Sequence, residues 1–242
     1  MKICAISDFH GLHMGDIKVP SCDVLCIAGD FVYLETQRDL DKSDKWLIEV
    51  FIPWINKLDC NKVIVTPGNH DFIIEDYYRN DWKSFKDKMY ELSNEKLIFL
   101  IDEQYTYNDK VFYGCPYVKT ISFGNWAFQK DGYYNIPDNI DILITHDSPF
   151  YNSNVISNAK YHFFGHWHDG ATDSKNSRYN CAILNDYYTV KWGNKRIIVD
   201  IPDIEKTTVP SDIEYSASDD TCNIIKIAEP ANLHDDKQQD DD

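Results

Sequence analysis

Acidic, amide and imidazole side chains recur in five short motifs along the sequence. The motifs are Asp8-x-His10, Gly29-Asp30, Gly68-Asn69-His70-Asp71, a single His146, and Gly165-His166-x-His168. Nitrogen and oxygen donors without thiolate suit Mn, Fe, Zn, Co or Ni rather than Ca, and the shortage of sulfur argues against a structural zinc site. Because a carboxylate such as that of Asp30 can bridge two cations, the set indicates a centre for two metal ions.

The spacing within the motifs supports a metal centre. Asp8 and His10 stand two positions apart, as do His166 and His168, and in an extended segment this spacing directs both side chains to the same side. Each pair could bind one ion or flank two. A lone Asp-x-His or Gly-Asp is common by chance, whereas five such motifs in order, each directly after a predicted strand, are not.

Short apolar runs rich in Ile, Val and Leu alternate with longer polar or amphipathic stretches. The runs predict strands at 2–7, 23–28, 62–66, 96–101, 110–114, 140–145, 161–164, 179–184 and 196–201. Large apolar side chains at helical spacing predict helices at 39–58, despite Pro53, and at 81–92. Strands that alternate with helices early in the chain and follow one another later indicate an α/β layered sandwich.

The predicted strands also explain how the motifs could come together. Each motif begins directly after one of the strands. In open α/β sheets the loops at the carboxyl ends of the strands converge on one crevice. We therefore expect the motif side chains to lie together at one edge of the sandwich.

The complete series of motifs resembles the signature of the calcineurin-like metallophosphoesterases. The chain is most similar to the small single-domain branch that includes the vertebrate metallophosphoesterase-domain proteins and the class III cyclic nucleotide phosphodiesterases. The resemblance extends over residues 1–202. Besides the motifs, it lies in Tyr113-Gly114-Cys115-Pro116, in Phe123-Gly124-Asn125-Trp126-Ala127-Phe128 and in Ile197-Ile198-Val199-Asp200-Ile201-Pro202.

The resemblance implies a four-layer α/β/β/α sandwich of two mixed β-sheets flanked by helices. It implies two divalent transition metal ions, with Mn²⁺ the foremost candidate and Fe, Zn, Co or Ni as alternatives. One ion would be held by Asp8, His10, Asp30 and His168, and the other by Asp30, Asn69, His146 and His166. A water between the ions, its pKa lowered by both cations, would be the nucleophile. His70 is expected to stabilise the transition state or protonate the leaving oxygen, with Asp71 orienting it.

These features predict a hydrolase of phosphate esters, foremost a phosphodiesterase that acts on small nucleotide-type substrates. The protein serine/threonine phosphatases of this superfamily continue the second motif with an Asp-Arg pair, which is lacking after Gly29-Asp30 here. Some vertebrate relatives lack the first histidine of the last motif and are catalytically weakened, but His166 is present. Two alternatives remain open: a metal-dependent nuclease that acts on DNA or RNA, and a metal-binding scaffold that acts through a partner.

The charge of the chain is strongly negative and unevenly distributed. The 242 residues carry 24 Lys and Arg against 40 Asp and Glu, a formal net charge of −16. Residues 211–242 contain ten acids and two lysines, a net of −8, so the other 210 residues share the remaining −8. This division predicts a metallophosphoesterase domain at 1–205 and an acidic, flexible tail at 206–242. Because the body has little basic surface, a small ester is favoured over long nucleic acid.

The cysteines and the start of the chain bear on the cellular compartment. The seven cysteines, an odd number without a Cys-x-x-C pair, are expected to be unpaired thiols. The first apolar run is too short for a signal peptide, and no stretch approaches the length of a membrane span. A cytoplasmic protein without membrane contact is therefore expected.

Other side chains near the motifs have two interpretations. Several aromatic residues either line a substrate pocket or pack the edge of the sandwich, and Trp167 is the better pocket candidate because it lies between two expected ligands. His162 is expected to be structural. The clearest basic spot is formed by Lys191, Lys195 and Arg196. The aromatic residues are Phe9, Phe72, Tyr117, Trp126, Phe128, Phe150 and Trp167.

Overall fold

Residues 1–191 and 197–201 are described in the computed structural model of the chain. Their strands are β1 (Lys2–Ile6), β2 (Cys22–Ala28), β3 (Cys60–Thr66), β4 (Leu97–Phe99), β5 (Glu103–Tyr107), β6 (Lys110–Cys115), β7 (Ile142–Thr145), β8 (Tyr161–Phe164), β9 (Arg178–Asn180) and β10 (Ile197–Asp200). Their α-helices are α1 (Leu40–Trp46), α2 (Ile52–Lys57), α3 (Phe72–Asn80) and α4 (Trp82–Leu92), with a π-helical segment at Leu47–Phe51 and a 3₁₀ turn at Ser174–Asn176.

The strands form two sheets of five. The first has the order β10-β1-β2-β3-β4 and is parallel except for the β1–β10 pair. The second has the order β5-β6-β7-β8-β9 and is parallel except for the β5–β6 pair. The expected fold of two mixed sheets with flanking helices is confirmed. Only β5 has no counterpart among the predicted strands, because its residues Glu-Gln-Tyr-Thr-Tyr form no apolar run.

Alternation along the first strand shows how one sheet contributes to two hydrophobic layers. Ile3 and Ala5 of β1 face the second sheet, where they join a fully buried cluster with residues of β6, β7 and β8. Cys4 and Ile6 point the other way and pack under the helices. Successive side chains of a strand point to opposite faces. The apolar runs of the first sheet are therefore continuous because both faces are covered.

The helix predicted at 39–58 is present but is interrupted. It comprises α1, the π-helical segment Leu47–Phe51 and α2, in one continuous helical stretch. Pro53 is the second residue of α2, which directly follows the π-helical segment. A proline lacks the N–H that an interior helical position donates, and a local change of hydrogen-bond register accommodates that loss. The helix predicted at 81–92 corresponds to α4, whereas α3 was missed.

The outer face of the second sheet is covered differently from that of the first. Tyr113, Cys115 and Leu143 on this face pack against Tyr134 and Val155. These partners belong to residues 116–141 and 147–160, which contain no helix. Irregular chain thus forms the fourth layer in the part of the protein that is described. Gly, Pro and Asn are frequent in these segments, which disfavours helix.

Some of the expectations concern residues outside the described ranges, and another concerns membrane spans. The predicted boundary at 205 and the acidic segment 206–242 lie outside the described residues, as do Lys195 and Arg196 of the basic spot. Within the described ranges, every helix is too short or too polar to cross a bilayer.

The buried layer between the sheets is expected to provide much of the stability. Ile64 on the interior strand β3 is fully buried against the second sheet. Replacing it with Ala should lower the free energy of unfolding by about 2–5 kcal/mol, because the surrounding strands cannot close the cavity. Urea denaturation followed by circular dichroism measures this loss. In the control Ile198→Ala, at a side chain that is 50% exposed on β10, the loss should stay below about 1 kcal/mol, and equal losses would contradict the assignment of the core.

Candidate metal centre

Five loops at the carboxyl ends of parallel strands bring the motif residues together. Asp8 and His10 follow β1, and Asp30 follows β2; the other three loops follow β3, β7 and β8. Within the described residues, three overlapping groups of possible metal ligands form there: Asp8, His10 and His168; His10, Asp30 and His70; and Asp30, His146 and His166. The expectation that the motif loops meet at one edge is thus met by the geometry.

Asp30 lies at the centre of these groups. One carboxylate oxygen, Oδ2, lies 3.2 Å from Nε2 of His146 and 3.9 Å from Nε2 of both His10 and His70. The other oxygen, Oδ1, accepts a hydrogen bond of 2.8 Å from the backbone N–H of His70. Asp30 is 2% exposed. A single carboxylate therefore faces imidazole nitrogens on two sides, as a bridging ligand would.

The first side of the centre contains Asp8, His10 and His168. Nε2 of His168 lies 3.5 Å from Oδ1 of Asp8 and 3.4 Å from Nε2 of His10. Asp8 also accepts hydrogen bonds from the hydroxyl of Ser7 at 2.5 Å and from the N–H of His166 at 3.0 and 3.1 Å. Asp8 and His10 are both fully buried. Their orientation is therefore fixed by the protein rather than by solvent.

The second side contains Asn69, His146 and His166. Nε2 of His146 lies 3.0 Å from the amide oxygen Oδ1 of Asn69. The rings of His146 and His166 have their centroids 5.1 Å apart. The loop that carries Asn69 is tied to residues further along the chain, because its carbonyl accepts a hydrogen bond of 3.0 Å from the N–H of Ala127.

Main-chain carbonyls set the direction of two of the imidazoles. Nδ1 of His146 lies 2.8 Å from the carbonyl oxygen of Ala28, and Nδ1 of His168 lies 2.9 Å from that of Asn185. A carbonyl only accepts, so each Nδ1 carries the hydrogen and each Nε2 is directed to the centre. Hydrogen bonds of this kind orient histidines that bind metals.

Two motif glycines permit the close approach of the ligands. A Cβ on Gly165 would collide with the Asp8 carboxylate, and one on Gly68 would collide with Oδ1 of Asp30 and the ring of His146. Asp8, Asp30 and His166 themselves adopt left-handed backbone conformations, with φ of 52°, 54° and 67°. Such conformations are uncommon for residues other than glycine and often occur at functional sites. The chain thus holds these ligands at positions that ordinary loops avoid.

The titration behaviour reflects the buried carboxylates. Burial disfavours the imidazolium form of His146, but Asp30 outweighs this effect and raises the pKa of His146 to about 10. In the same way burial is outweighed by Asp8 at His168, whose pKa rises to about 9. Burial raises the pKa of Asp30, yet the neighbouring His146 lowers it well below its usual range. The buried carboxylates are thus stabilised by nearby positive charge, which protons on the imidazoles or bound cations can supply.

The donor atoms of these residues fit the coordination chemistry of divalent transition metal ions. Carboxylate oxygens, an amide oxygen and imidazole nitrogens converge, and no thiol is among them. The separations of 3.0 to 3.9 Å between neighbouring donor atoms are short enough for the donors to bind a common ion. Metal–ligand bonds to such donors are about 2.0–2.2 Å long.

His70 lies beside the centre and is held by a residue that sequence analysis missed. Its Nδ1 lies 2.6 Å from Oε1 of Gln37, and its ring centroid lies 4.6 Å from that of Trp126. Burial lowers the pKa of His70, although Asp30 opposes this shift. Gln37 lies in a loop without a recognisable motif, 33 positions from His70, so nothing in the sequence signals the contact.

Asp71, which was expected to orient His70, has main-chain partners in the structure. The Asp71 carboxylate is fully buried and accepts four backbone hydrogen bonds. Burial and the neighbouring Asp30 raise its pKa to about 7, and the N–H donors oppose that rise. Asp71 therefore fixes the backbone of two motif loops. The donors are the N–H groups of Asp30, Phe31, Val32 and Gly68, at 2.7 to 3.1 Å.

An open cavity of about 300 Å³ adjoins the centre. Trp126 and Phe123 line one part of it, and Asp186 and Tyr188 another. None of the lining residues described is Lys or Arg. Asp186 and Tyr188 come from a loop that carries no motif, so sequence analysis did not find them.

The aromatic residues and the histidine that the sequence singled out beside the motifs lie in different surroundings. Phe9 and Phe128 belong to the hydrophobic core, whereas Trp126 lines the cavity. His162 is buried, with Nε2 2.8 Å from the hydroxyl oxygen of Thr145. Burial lowers the pKa of His162 to about 3, so that it stays neutral. This agrees with its expected structural role.

Comparison with known proteins places these features in a family context. A sequence model described as calcineurin-like phosphoesterase matches residues 1–170. The chain is 25% identical over 250 aligned positions to a Caenorhabditis elegans protein named UPF0046 protein T07D4.2, covering 84% of this chain and 60% of the worm protein. It is 26% identical over 244 positions to metallophosphoesterase domain-containing protein 1 of human and of mouse, covering 83% of this chain and 71% of each relative. The chain thus spans less than two thirds of the length of the worm relative.

Metal binding should stabilise the folded protein. Adding Mn²⁺ to metal-stripped protein is expected to raise the melting temperature, since a ligand at one hundred times its Kd adds about 2.7 kcal/mol. Asp30→Asn should abolish the increase because the amide cannot supply the central negative charge. The matched control Asp87→Asn, at an exposed position of α4, should keep it. Differential scanning calorimetry measures the shift, and an undiminished shift in Asp30→Asn would exclude Asp30 as a ligand.

Proposed function

Because the chain belongs to the calcineurin-like phosphoesterase family, we propose that it is a metal-dependent phosphodiesterase that acts on small nucleotide-type esters. The observation that carries the proposal is the convergence of seven nitrogen and oxygen donors beside an aromatic cavity of about 300 Å³. The family supports phosphate ester hydrolysis, and the surroundings of the cavity support the narrower choice of substrate. The seven donors are Asp8, His10, Asp30, Asn69, His146, His166 and His168.

The donors divide into two sets that share Asp30. Asp8, His10 and His168 would hold one Mn²⁺ together with Asp30, since their nitrogen and oxygen atoms lie 3.4 to 3.9 Å apart in neighbouring pairs. The second Mn²⁺ would be held by Asp30 with three residues on its other side, namely Asn69, His146 and His166. When bound, the two cations would neutralise charge on the phosphate and lower the pKa of the attacking water.

The residues around the cations have separate tasks in the proposed reaction. His70 projects from the same edge, with its ring between Trp126 and the ligand His10. It can donate a hydrogen bond to the phosphate or a proton to the leaving oxygen. Gln37 fixes its ring through Nδ1. Asp71 acts at a distance, by holding the loops that carry Asp30 and Asn69.

The cavity favours a small diester over a long polyanion. A phosphodiester carries a single negative charge, and the described lining of the cavity offers Asp186 but neither Lys nor Arg. Nucleic acid binding depends mainly on the neutralisation of many phosphates by Lys and Arg. The aromatic rings of Trp126, Phe123 and Tyr188 supply surfaces on which a nucleobase can stack. The nuclease alternative gains no comparable support.

The proposed site of action is the cytoplasm. The six cysteines of the described ranges are buried thiols. Proteins of oxidising compartments commonly use cysteines in disulfides, whereas reducing compartments keep them as thiols. The cysteine usage therefore supports an intracellular, reducing environment.

Removal of single metal ligands tests the proposed function. Asn69→Ala and His146→Ala should each abolish the Mn²⁺-dependent hydrolysis of bis(4-nitrophenyl) phosphate, because each change removes a donor from the second set. The control His13→Ala changes a histidine whose side chain is 46% exposed and lies outside the centre, and should leave the rate unchanged. Release of 4-nitrophenolate measures activity. Full activity in either ligand variant would refute the assignment.

Loss of the Gln37 contact should impair His70 without removing a metal ligand. Gln37→Ala is expected to lower kcat by about tenfold to a hundredfold, since a mobile imidazole is poorly placed for proton donation. KM and the Mn²⁺ concentration for half-maximal activity should be unchanged. Gln37→Glu retains an acceptor for Nδ1 and should recover most of the rate, and Gln104→Ala, an exposed glutamine on β5, is the control. A change in Mn²⁺ requirement with unchanged kcat would contradict the positioning role.

A further inference from the structure

A second cavity meets the metal centre on the side of His166. It has a volume of about 160 Å³, and Lys119, Tyr151 and Trp167 are among its lining residues. Ile121 and His166 line both this cavity and the larger one. The two cavities therefore adjoin the same ligand from different directions. We refer to the smaller one as the second cavity.

A continuous series of rings connects the centre to the second cavity. The centroids of His146 and His166 lie 5.1 Å apart, and those of His166 and Trp167 lie 5.8 Å apart. Trp167 in turn stacks on Tyr151, with a centroid distance of 4.5 Å and an interplanar angle of 29°. A group bound against this stack would lie next to the phosphate-binding position.

The stacked rings of Tyr151 and Trp167 are exposed as a binding surface would be. Tyr151 and Trp167 are 51% and 46% exposed, although large aromatic side chains are usually more buried. The backbone of Trp167 is held in place, because its carbonyl accepts hydrogen bonds of 2.7 Å from the side chain of Asn180 and 2.8 Å from the N–H of Gly170. A rigid, exposed aromatic pair next to a catalytic centre offers a face for another ring.

The charges of the two cavities differ. The second cavity contains Asp147, but this buried carboxylate is engaged by the N–H groups of Lys119 and Ser148 and by the side-chain amide of Asn152. The exposed Lys119 side chain leaves a positive group at its rim. The larger cavity has Asp186 in its described lining and neither Lys nor Arg. An anionic ester is therefore better tolerated towards the second cavity.

Hydrolysis of a phosphodiester requires room for two organic groups at the phosphorus. A P–O bond forms from water, the P–O bond to one substituent breaks, and a proton from the water is returned to the leaving oxygen. Both substituents are present until that bond breaks, whereas a monoester has only one. The two cavities that meet at His166 provide room for both organic groups.

We propose that the second cavity binds one of the two organic substituents of a phosphodiester, an aromatic or heterocyclic ring that stacks on Tyr151 and Trp167. The proposal rests on the proposed diesterase function, and it adds that the protein accommodates rings on both sides of the phosphate. The larger cavity takes the other substituent. A preference for diesters with two rings over those with one follows.

Isothermal titration calorimetry with Mn²⁺-loaded full-length protein tests this proposal through binding alone. Diphenyl phosphate should bind wild type about fivefold more tightly than methyl phenyl phosphate, because a second ring stack adds favourable contact. In Tyr151→Ala the advantage should fall to twofold or less. Tyr151→Phe keeps the ring and should keep the advantage. The control Tyr133→Ala, at a tyrosine that is 71% exposed and lines neither cavity, should also keep it.

The possible results test the ring site in the second cavity and the proposed function separately. An equal affinity of wild type for both diesters, no binding of either, or an undiminished advantage in Tyr151→Ala would overturn the second cavity as a ring site. Failure of wild type to hydrolyse bis(4-nitrophenyl) phosphate would refute the proposed function while the calorimetric ratio still decides the ring site. Unchanged binding of methyl phenyl phosphate by Tyr151→Ala shows that the variant is folded.

Discussion

The site depends on the burial of two carboxylates whose described ion-pair partners are imidazoles. Asp8 and Asp30 are almost completely removed from water, and imidazoles and backbone N–H groups surround them. A buried charge is costly unless opposite charge or hydrogen bonds compensate it. The elevated pKa values of His146 and His168 show how strongly these carboxylates attract positive charge. Two bound divalent cations would supply the same compensating positive charge, and the ligand imidazoles would then need no extra protons.

The fold satisfies this constraint through its parallel strands. Strands buried on both faces are rigid, and their carboxyl ends lie at one edge, so short loops can hold ligands close together. The Asp71 carboxylate extends this rigidity into the loops by binding the N–H groups on either side of the site. Gly68 and Gly165 leave the space that the ligand side chains occupy. Stability in the sheets thus supports strained conformations at Asp8 and Asp30.

Much of this arrangement could be predicted from the sequence, because its signals are local. The buried strands appear as apolar runs, and the ligands follow them at fixed spacing. Other features depend on contacts between distant loops. Gln37 and Asp186 belong to loops without motifs, and β5 is too polar to stand out as a strand. The hydrogen bonds of Asp71 are also of this kind, because adjacency to His70 in sequence does not determine which groups its carboxylate meets.

The electrostatics of the site also limit what an acidic protein can bind. Half of the net charge of −16 lies in residues 211–242, and the rest is spread over the body that contains the site. Two divalent cations would contribute +4 locally, and the attraction for a phosphate would come from them and not from a basic surface. Such an attraction is short-ranged in salt and acts on the one phosphate at the centre. Recognition beyond that phosphate must then come from uncharged surfaces, and the aromatic linings of the two cavities provide them.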